Sequence, residues 1–483
     1  MPAIGLIDVS GIQNAIFRSG KLKEIAATSE AIESLSMKNG LFEKEAGALL
    51  LVAAGGNLAM IAQSEEEIKK VVRNISSELL RNYPGLDAVA AVCHYNKGEL
   101  ADGFRNAQRQ LERNKLTQPR SCRFEFPGFN SDEQQTIAKI DCSNEIIKGE
   151  SDLDRIVCNI FRNGKDALET KEKSDLIAIV SIDGLGMGRR IIQWMQEMKG
   201  ENDDTFIEQY KIWSESIRER WQTSWNESAE LVRRQFNADG KWQHSHQARY
   251  LCNQGKDPFR HIYQGGDDLS FVCDAHIALS LTSEIITRLE QPREDVHPLF
   301  QSITASAGIL LVDKQYPFGR AVQMAEAVRK SAKKLSAEHS HEGKPSPSVV
   351  SWWLNRQGEM EMPERLFKGA SQKPYLLHAQ EQDEPTIESF TQKALPALWN
   401  AFKDSRSLFK NVLEAACEGQ EGVSVKRVLG LRSRSSGVTD EKPFSGLPEP
   451  FNTESGFDSG GRGTVLLDAG ELFDLYFPFQ KGE

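Results

Sequence analysis

Three aspartates have the side-chain type and spacing that phosphoryl transfer needs. Asp267 and Asp268 are adjacent in HIYQGGDDLSFVCD (261–274), and Asp183 ends the apolar run of IAIVSIDGLGMGRR (177–190). Carboxylate oxygens are hard ligands that suit Mg²⁺ or Mn²⁺. Two such ions about 3.5–4 Å apart activate an attacking hydroxyl and stabilise a leaving pyrophosphate. Gly265 and Gly266 tolerate positive φ and leave room for a phosphate. Behind Asp183, Gly184, Gly186 and Gly188 open a helix whose first amides suit phosphate oxygens. Lys333 or Lys334 would supply a point charge to a triphosphate; taken alone, that lysine pair reads as a solvated helix face.

Strands must carry these carboxylates. Ile262 and Tyr263 precede the glycines, and Leu269, Phe271 and Val272 follow the aspartates. That pattern predicts a β-hairpin with the acidic pair at its turn. One aspartate on a strand and two on a neighbouring hairpin is the arrangement of a palm-type nucleotidyl-transfer site.

The pattern occurs twice. IGLIDVSGIQNAIFR (4–18) matches IAIVSIDGLGMGRRI (177–191), placing Asp8 on Asp183. LLLVAAGGNLAMIA (49–62) matches the acidic hairpin, placing Gly55 and Gly56 on Gly265 and Gly266. In each half a helix (65–82; 275–291), a strand (86–95; 302–312) and a closing helix (98–116; 318–335) follow, which sets Lys115 on Lys333. Each half reads β-α-β-β-α-β-α, so the expected class is α+β, with two ferredoxin-like, nucleotidyl cyclase-like palms in tandem. The first hairpin carries Asn57 and Leu58 in place of the acidic pair and cannot hold two divalent ions by charge. It is expected to be pseudo-active.

Residues 1–118 are the expected first palm, 119–174 a connector with one helix at 152–169, and 175–355 the catalytic palm. A helical insertion is expected at 203–256. Its stripe of Phe206, Tyr210, Trp213, Ile217, Trp221 and Trp225 has helical spacing and reads as a packing surface before a base-stacking platform. Residues 356–483 read as mostly helical, with 431–463 flexible and 464–477 a terminal strand or helix.

With a net charge of −10, broad sequence-independent nucleic-acid binding is not expected. No apolar run approaches the roughly 18 residues of a membrane span. No signal peptide is legible, and the seven cysteines include no CxxC pair, so a cytoplasmic location is expected. The HxH pairs His244/His246 and His339/His341 lack further ligands at metal spacing. P-loop, GxSxG and His-Asp doublet motifs are absent.

The segments DVSGIQNAIFRSGKLKEIAATSEAI (8–32), AAGGNLAMIA (53–62), SIDGLGMG (181–188), YQGGDDLSFVCD (263–274) and ITASAGILLVDKQYPFGRAVQMAEAVRKSAKK (303–334) together resemble the large two-palm subunit of type III CRISPR effector complexes. The resemblance covers roughly residues 1–355. It implies synthesis of cyclic oligoadenylate second messengers from ATP for antiviral defence, with Mg²⁺ or Mn²⁺, two per catalytic palm. Asp267, Asp268 and Asp183 would match the family's metal-binding aspartates and Lys333 its triphosphate lysine. Gly55, Gly56 and the turn at 8–13, with Asp8 and Gly11, would lie where the first palm binds a second ATP. Ser306 and Lys334 complete the expected nucleotide-binding set. The resemblance also implies RNA-binding partner subunits and guide and target RNA. Three departures are expected: a form lacking the HD nuclease domain, no zinc-binding cysteine cluster between the palms, and Leu185 where many members carry a second aspartate. A GTP-using diguanylate cyclase of the GGDEF class remains the alternative enzyme, although the RxxD motif is missing and DPFR occupies 257–260. A catalytically silent scaffold subunit is the alternative outside enzymes.

Overall fold

The computed structural model describes residues 1–16, 22–83, 86–117, 161–162, 176–235, 250–251, 257–340, 345–355, 358–359, 371–379, 384–402, 406–417, 464–473, 475–476 and 479. The expected flexible segment 431–463 lies outside the described residues, as does the connector 119–174 apart from Phe161 and Arg162.

The first half runs β1 (Ala3–Ser10), α1 (Ile12–Ile16), α2 (Leu22–Ser36), α3 (Leu41–Ala46), β2 (Leu50–Ala54), β3 (Asn57–Ala62), α4 (Glu65–Asn82), β4 (Asp87–His94) and α5 (Leu100–Thr117). Local chemistry accounts for these elements. In α4, the Ser64 hydroxyl accepts from Glu67 N–H, Glu65 to Glu67 complement the helix N-terminus, and Ile68, Val71, Ile75 and Leu79 form one buried stripe.

After β5 (Phe161–Arg162), the second half runs β6 (Leu176–Gly184), α6 (Met187–Glu197), α7 (Asp203–Arg234), β7 (Tyr250–Leu251), β8 (Phe259–Gly265), β9 (Asp268–Asp274), α8 (Ala278–Glu290), β10 (Ala305–Asp313) and α9 (Phe318–Glu338). The first sheet has the order β2-β3-β1-β4. The second contains β8-β9-β6-β10, the same order from the equivalent strands. The tandem-palm expectation therefore holds at the level of sheet topology. β11 (Val349–Asn355) extends the second sheet parallel to β10, and β12 (Tyr375–Leu376) closes its edge. β6 lies between β9 and β10 and is almost wholly buried, which is why its sequence is a continuous apolar run.

Both main hydrophobic clusters draw residues from both halves. The long insertion helix α7 joins them. Asn202 caps it, and Phe206, Ile217, Trp221 and Trp225 are buried, so the aromatic stripe is packing surface. At its start, the Asp203 carboxylate accepts from the backbone N–H groups of Gly98 and Leu100 at 2.9 and 3.2 Å, capping α5 of the first palm. At its middle, Arg220 donates to the carbonyls of Leu289 at the end of α8 and of Gln291 and Gln301 in the loop before β10.

One expectation changes. Phe161 and Arg162, the described part of the helix expected at 152–169, pair as a short strand with Tyr250–Leu251. A strand partner 88 residues away overrides local helical patterning there. The region expected to be mostly helical after 356 holds helices at Ile387–Ser389, Leu395–Phe402 and Arg406–Cys417, preceded by the short strand β12.

The C-terminal segment docks as a helix, Val465–Leu472, with Thr464 bridged to Ser371. A buried polar cluster holds it. Asp468 accepts from Ser371 Oγ at 2.6 Å, Gln372 N at 3.0 Å and Tyr375 Oη at 2.7 Å. Lys373 Nζ reaches Glu471 at 2.6 Å and Asp468 at 3.9 Å, beneath the Trp352 ring. Burial pushes the Asp468 and Glu471 carboxyls up, and Lys373 opposes that rise. Removing one charge from a buried set strands the others. Lys373→Ala should therefore cost about 3–5 kcal/mol in guanidinium unfolding. A midpoint equal to that of the parent chain would show that this cluster does not hold the C-terminal helix.

Candidate active site

Antiparallel register brings the carboxylates together. Asp183 on β6 lies directly opposite Asp268, the first residue of β9. Asp267 occupies the β8–β9 turn with Gly266, whose φ is +61°. The Asp267 carbonyl accepts from Gly184 N–H at 2.9 Å, which pins the turn to the end of β6. Gly184 has no room for a side chain, because a Cβ there would come within 3.0 Å of Asp267 Cβ. The three aspartates expected to act together are thus brought into one cluster.

On the other side of β6, Ser306 of β10 pairs with Asp183 in register and is wholly buried. Its hydroxyl lies 3.4 Å from the Asp183 carbonyl oxygen, so it supports the strand end. Gly186 has φ +71° and caps α6, as Gly11 with φ +83° precedes α1. Both stand three residues after the strand aspartate. A Cβ at Gly188 would meet nothing, so the first turn of α6 is open.

Two cations answer the carboxylates. Lys333 Nζ and Arg329 Nη1 lie 2.6 and 2.5 Å from Asp183 Oδ2. Lys334, the neighbouring candidate, is exposed, one residue round the helix from Lys333. Sequence reasoning missed Arg329. The signal was available, because Arg329 precedes Lys333 by one helical turn and shares its face.

Like charges crowd the site all the same. Burial first, then Asp183, pushes the Asp267 carboxyl up to about 6. Asp268 is pushed up further by burial, by Asp183 and Asp267, and by its hydrogen bond with Asp183. A donor set that retains protons because it is buried and its charges repel is one that a hard cation would relieve. Among the described residues, no group of three or more His, Cys, Asp and Glu side chains is placed to hold a metal ion as it stands, the aspartate trio included. Mg²⁺ does not require one, since it is commonly held by one or two carboxylates together with substrate phosphates and water. Asp183, Asp267 and Asp268 fit that habit. Of the HxH pairs, His339 bonds Leu335 O and Glu384, and His244, His246 and His341 lie outside the described residues.

The first palm repeats the frame without the acidic pair. Asp8 lies opposite Asn57, and Lys115 Nζ is 3.1 Å from Asp8 Oδ2, as Lys333 is to Asp183. The hairpin match read from sequence is shifted by one residue. The turn of the first hairpin is Gly55–Gly56 and that of the second is Gly266–Asp267. Val9 N–H donates to Gly56 O at 2.9 Å, the counterpart of Gly184 N–H to Asp267 O. Gly55 therefore corresponds to Gly266 and not Gly265, Gly56 to Asp267, and Asn57 to Asp268. Strand register decides this match, and the shared GG dipeptide misleads.

Equivalent glycines of the two palms meet. A Cβ on Gly55 (φ +56°) would lie 2.5 Å from Gly266 N, so the two turns touch backbone to backbone. Tyr263 stands between the halves: burial, then Asp268, Glu33, Asp267 and Asp8, all push its phenol up.

A family model described as Cas10/Cmr2, second palm domain, matches residues 176–340. Among solved structures, the chain is similar to one of a Csm1-Csm4 cassette in complex with cA4, with TM-score 0.51 and 13% identity over 98% of this chain and 69% of that one. Cassettes with AMPPNP and with pppApA match at TM-score 0.43 and 14% and 13% identity, covering 69% and 72% of this chain. The chain spans 53% of the length of the first of these two and 54% of the second, about half. At such identities the likeness is one of fold. No curated protein matches the chain. No helix among the described residues is long and apolar enough to cross a membrane.

The crowded carboxylates set a pH dependence. Folded, Asp267 and Asp268 keep protons that an unfolded aspartate loses near 3.8, so the folded state binds more protons above that pH. Stability must then fall as pH rises from about 4 through 6 and beyond. Without divalent ions, Asp268→Asn should be more stable than the parent chain by about 1–3 kcal/mol at pH 8, with no such gain at pH 4. Urea titrations at the two pH values test this, and coincident curves at pH 8 would show that the carboxylates do not repel.

Proposed function

This chain is Cas10-like in fold and in its second palm, and we propose that it is a nucleotidyltransferase that joins ATP into cyclic oligoadenylates. The observation that carries the reading is the pairing of Asp183 with Asp268 across β6 and β9, with Asp267 in the adjoining turn and Lys333 and Arg329 beside them. Two divalent ions, Mg²⁺ or Mn²⁺, held by Asp183, Asp267 and Asp268 would neutralise the triphosphate and acidify the attacking hydroxyl.

The chain's own groups do the rest. Lys333 and Arg329 give up Asp183 and turn to the phosphates, and the open first turn of α6 at Gly186–Gly188 receives phosphate oxygens. A ribose hydroxyl of a second nucleotide loses its proton and forms a bond to the α-phosphorus, the α–β phosphoanhydride breaks, and pyrophosphate leaves. Gly55 and Gly266 set the two palms turn to turn, so a nucleotide near Asp8, Gly11, Gly56 and Lys115 lies close to the catalytic carboxylates. That proximity favours head-to-tail joining and ring closure.

The solved relatives are described as Csm1-Csm4 cassettes, one of them as a subcomplex of a type III-A CRISPR-Csm interference complex. By analogy, the partners of this chain are RNA-guided complex subunits, and the product serves antiviral signalling. Incubation with ATP or GTP and Mn²⁺, followed by mass spectrometry, separates this reading from a GGDEF-type cyclase, which would consume GTP. Co-purifying RNA without pyrophosphate release would favour a silent scaffold.

Asp267→Ala/Asp268→Ala should lower pyrophosphate release by more than about 100-fold, with a cooperative thermal melt no lower than that of the parent chain. Lys333→Ala should lower it about 10-fold or more, and Lys334→Ala and Asn57→Ala by no more than about threefold. Full turnover in the double aspartate variant would remove this cluster from catalysis.

A further inference from the structure

The two palms cover their edge strands with each other's helices. β8 is the outer strand of the second sheet. Helix α2 of the first palm covers it: Ser29 Oγ donates to Ile262 O, and Gln264 N–H donates to Glu33 Oε1 at 3.3 Å. The equivalent outer strand of the first sheet is β2. There, helix α7 of the second half faces the strand across a cavity of about 340 Å³.

The lining of this cavity is charged. Lys211, Ser214, Glu215 and Arg218 recur at helical spacing on α7, on the face flanking its buried aromatic stripe, and Glu43 of α3 adds a second carboxylate to the lining. Lys38, just past α2, faces them. Lys38, Lys211 and Arg218 are exposed, and none of them makes an ion pair among the described residues. The opposite wall is the backbone of Leu50–Ala54, whose outer side has no strand partner. Three cations against two carboxylates, Glu43 and Glu215, beside the outer edge of β2 in a cavity of this volume suit a phosphate-bearing molecule of nucleotide size.

We propose that the cleft between β2 and α7 is a binding site for a phosphate-bearing ligand. Lys38, Lys211 and Arg218 take the phosphate, and the β2 backbone bonds the rest of the molecule. The site contains none of the catalytic carboxylates. It lies at the start of the strand that runs into Gly55, so its occupant ties the first palm to α7 next to the turn-to-turn contact.

Hydrogen exchange of the full chain, with and without millimolar ATP, pyrophosphate or orthophosphate, tests the proposal. Residues 50–54 should exchange at least threefold more slowly with a ligand that fits. Protection by ATP alone identifies a nucleotide, and protection by all three a phosphate site. Lys211→Glu/Arg218→Glu should abolish this protection, Lys211→Arg/Arg218→Lys should keep it, and Asp183→Asn/Asp268→Asn should leave it in place. No slowing with any of the three, or slowing that survives the charge reversal, would overturn the proposal. Slowing that disappears in the aspartate variant would overturn it as well, since the effect would then originate at the catalytic cluster.

Discussion

The antiparallel register between β6 and β9 is the constraint on which the rest depends. It puts Asp183 and Asp268 side by side, an arrangement that costs energy wherever like charges face each other across strands. The fold accepts this because the surrounding sheet leaves no alternative. Ile182 pairs with Leu269 in the same ladder, and both are fully buried. A slip of one residue would turn that apolar pair out of the core and the carboxylates into it. Hydrophobic burial thus enforces an electrostatic conflict, and Arg329 and Lys333 moderate it from α9.

The first palm shows the same frame with the conflict removed. Asp8 faces a neutral Asn57, a single lysine suffices, and Leu111 stands one turn before Lys115 where Arg329 stands one turn before Lys333. The number of cations on the closing helix follows the number of carboxylates on the strands. The halves therefore differ as a matched set: acidic pair with two cations, neutral pair with one. Their shared geometry supports reading one as a catalyst and the other as a platform.

Much of this was legible from residue order. The repeated β-α-β-β-α-β-α pattern survives because each element carries its own signal, such as the Ser64 cap and 3-4 stripe of α4 or the apolar run of β6. The acidic hairpin was legible because two glycines and two aspartates between strand formers have few other uses. What failed was non-local. The GG dipeptides align by letter but not by register, since which glycine enters the turn is set by the partner strand. Gly55 meeting Gly266, and α2 and α7 each covering the other palm's edge, are products of docking that no window of sequence contains. The pairing of Phe161–Arg162 with Tyr250–Leu251 belongs to the same class.

Arg220 gives the inserted helix a standing that its position in the chain conceals. The residue is 5% exposed, and it donates to three neutral carbonyls, those of Leu289, Gln291 and Gln301. The stretch it grips leads through Thr304, which receives Leu185 N–H at 2.8 Å, to the strand flanking Asp183. A segment that interrupts the palm in linear order thus furnishes bonds the palm cannot make for itself. Any shortened version of this domain would need a replacement donor for those oxygens before its reactive end could keep its shape.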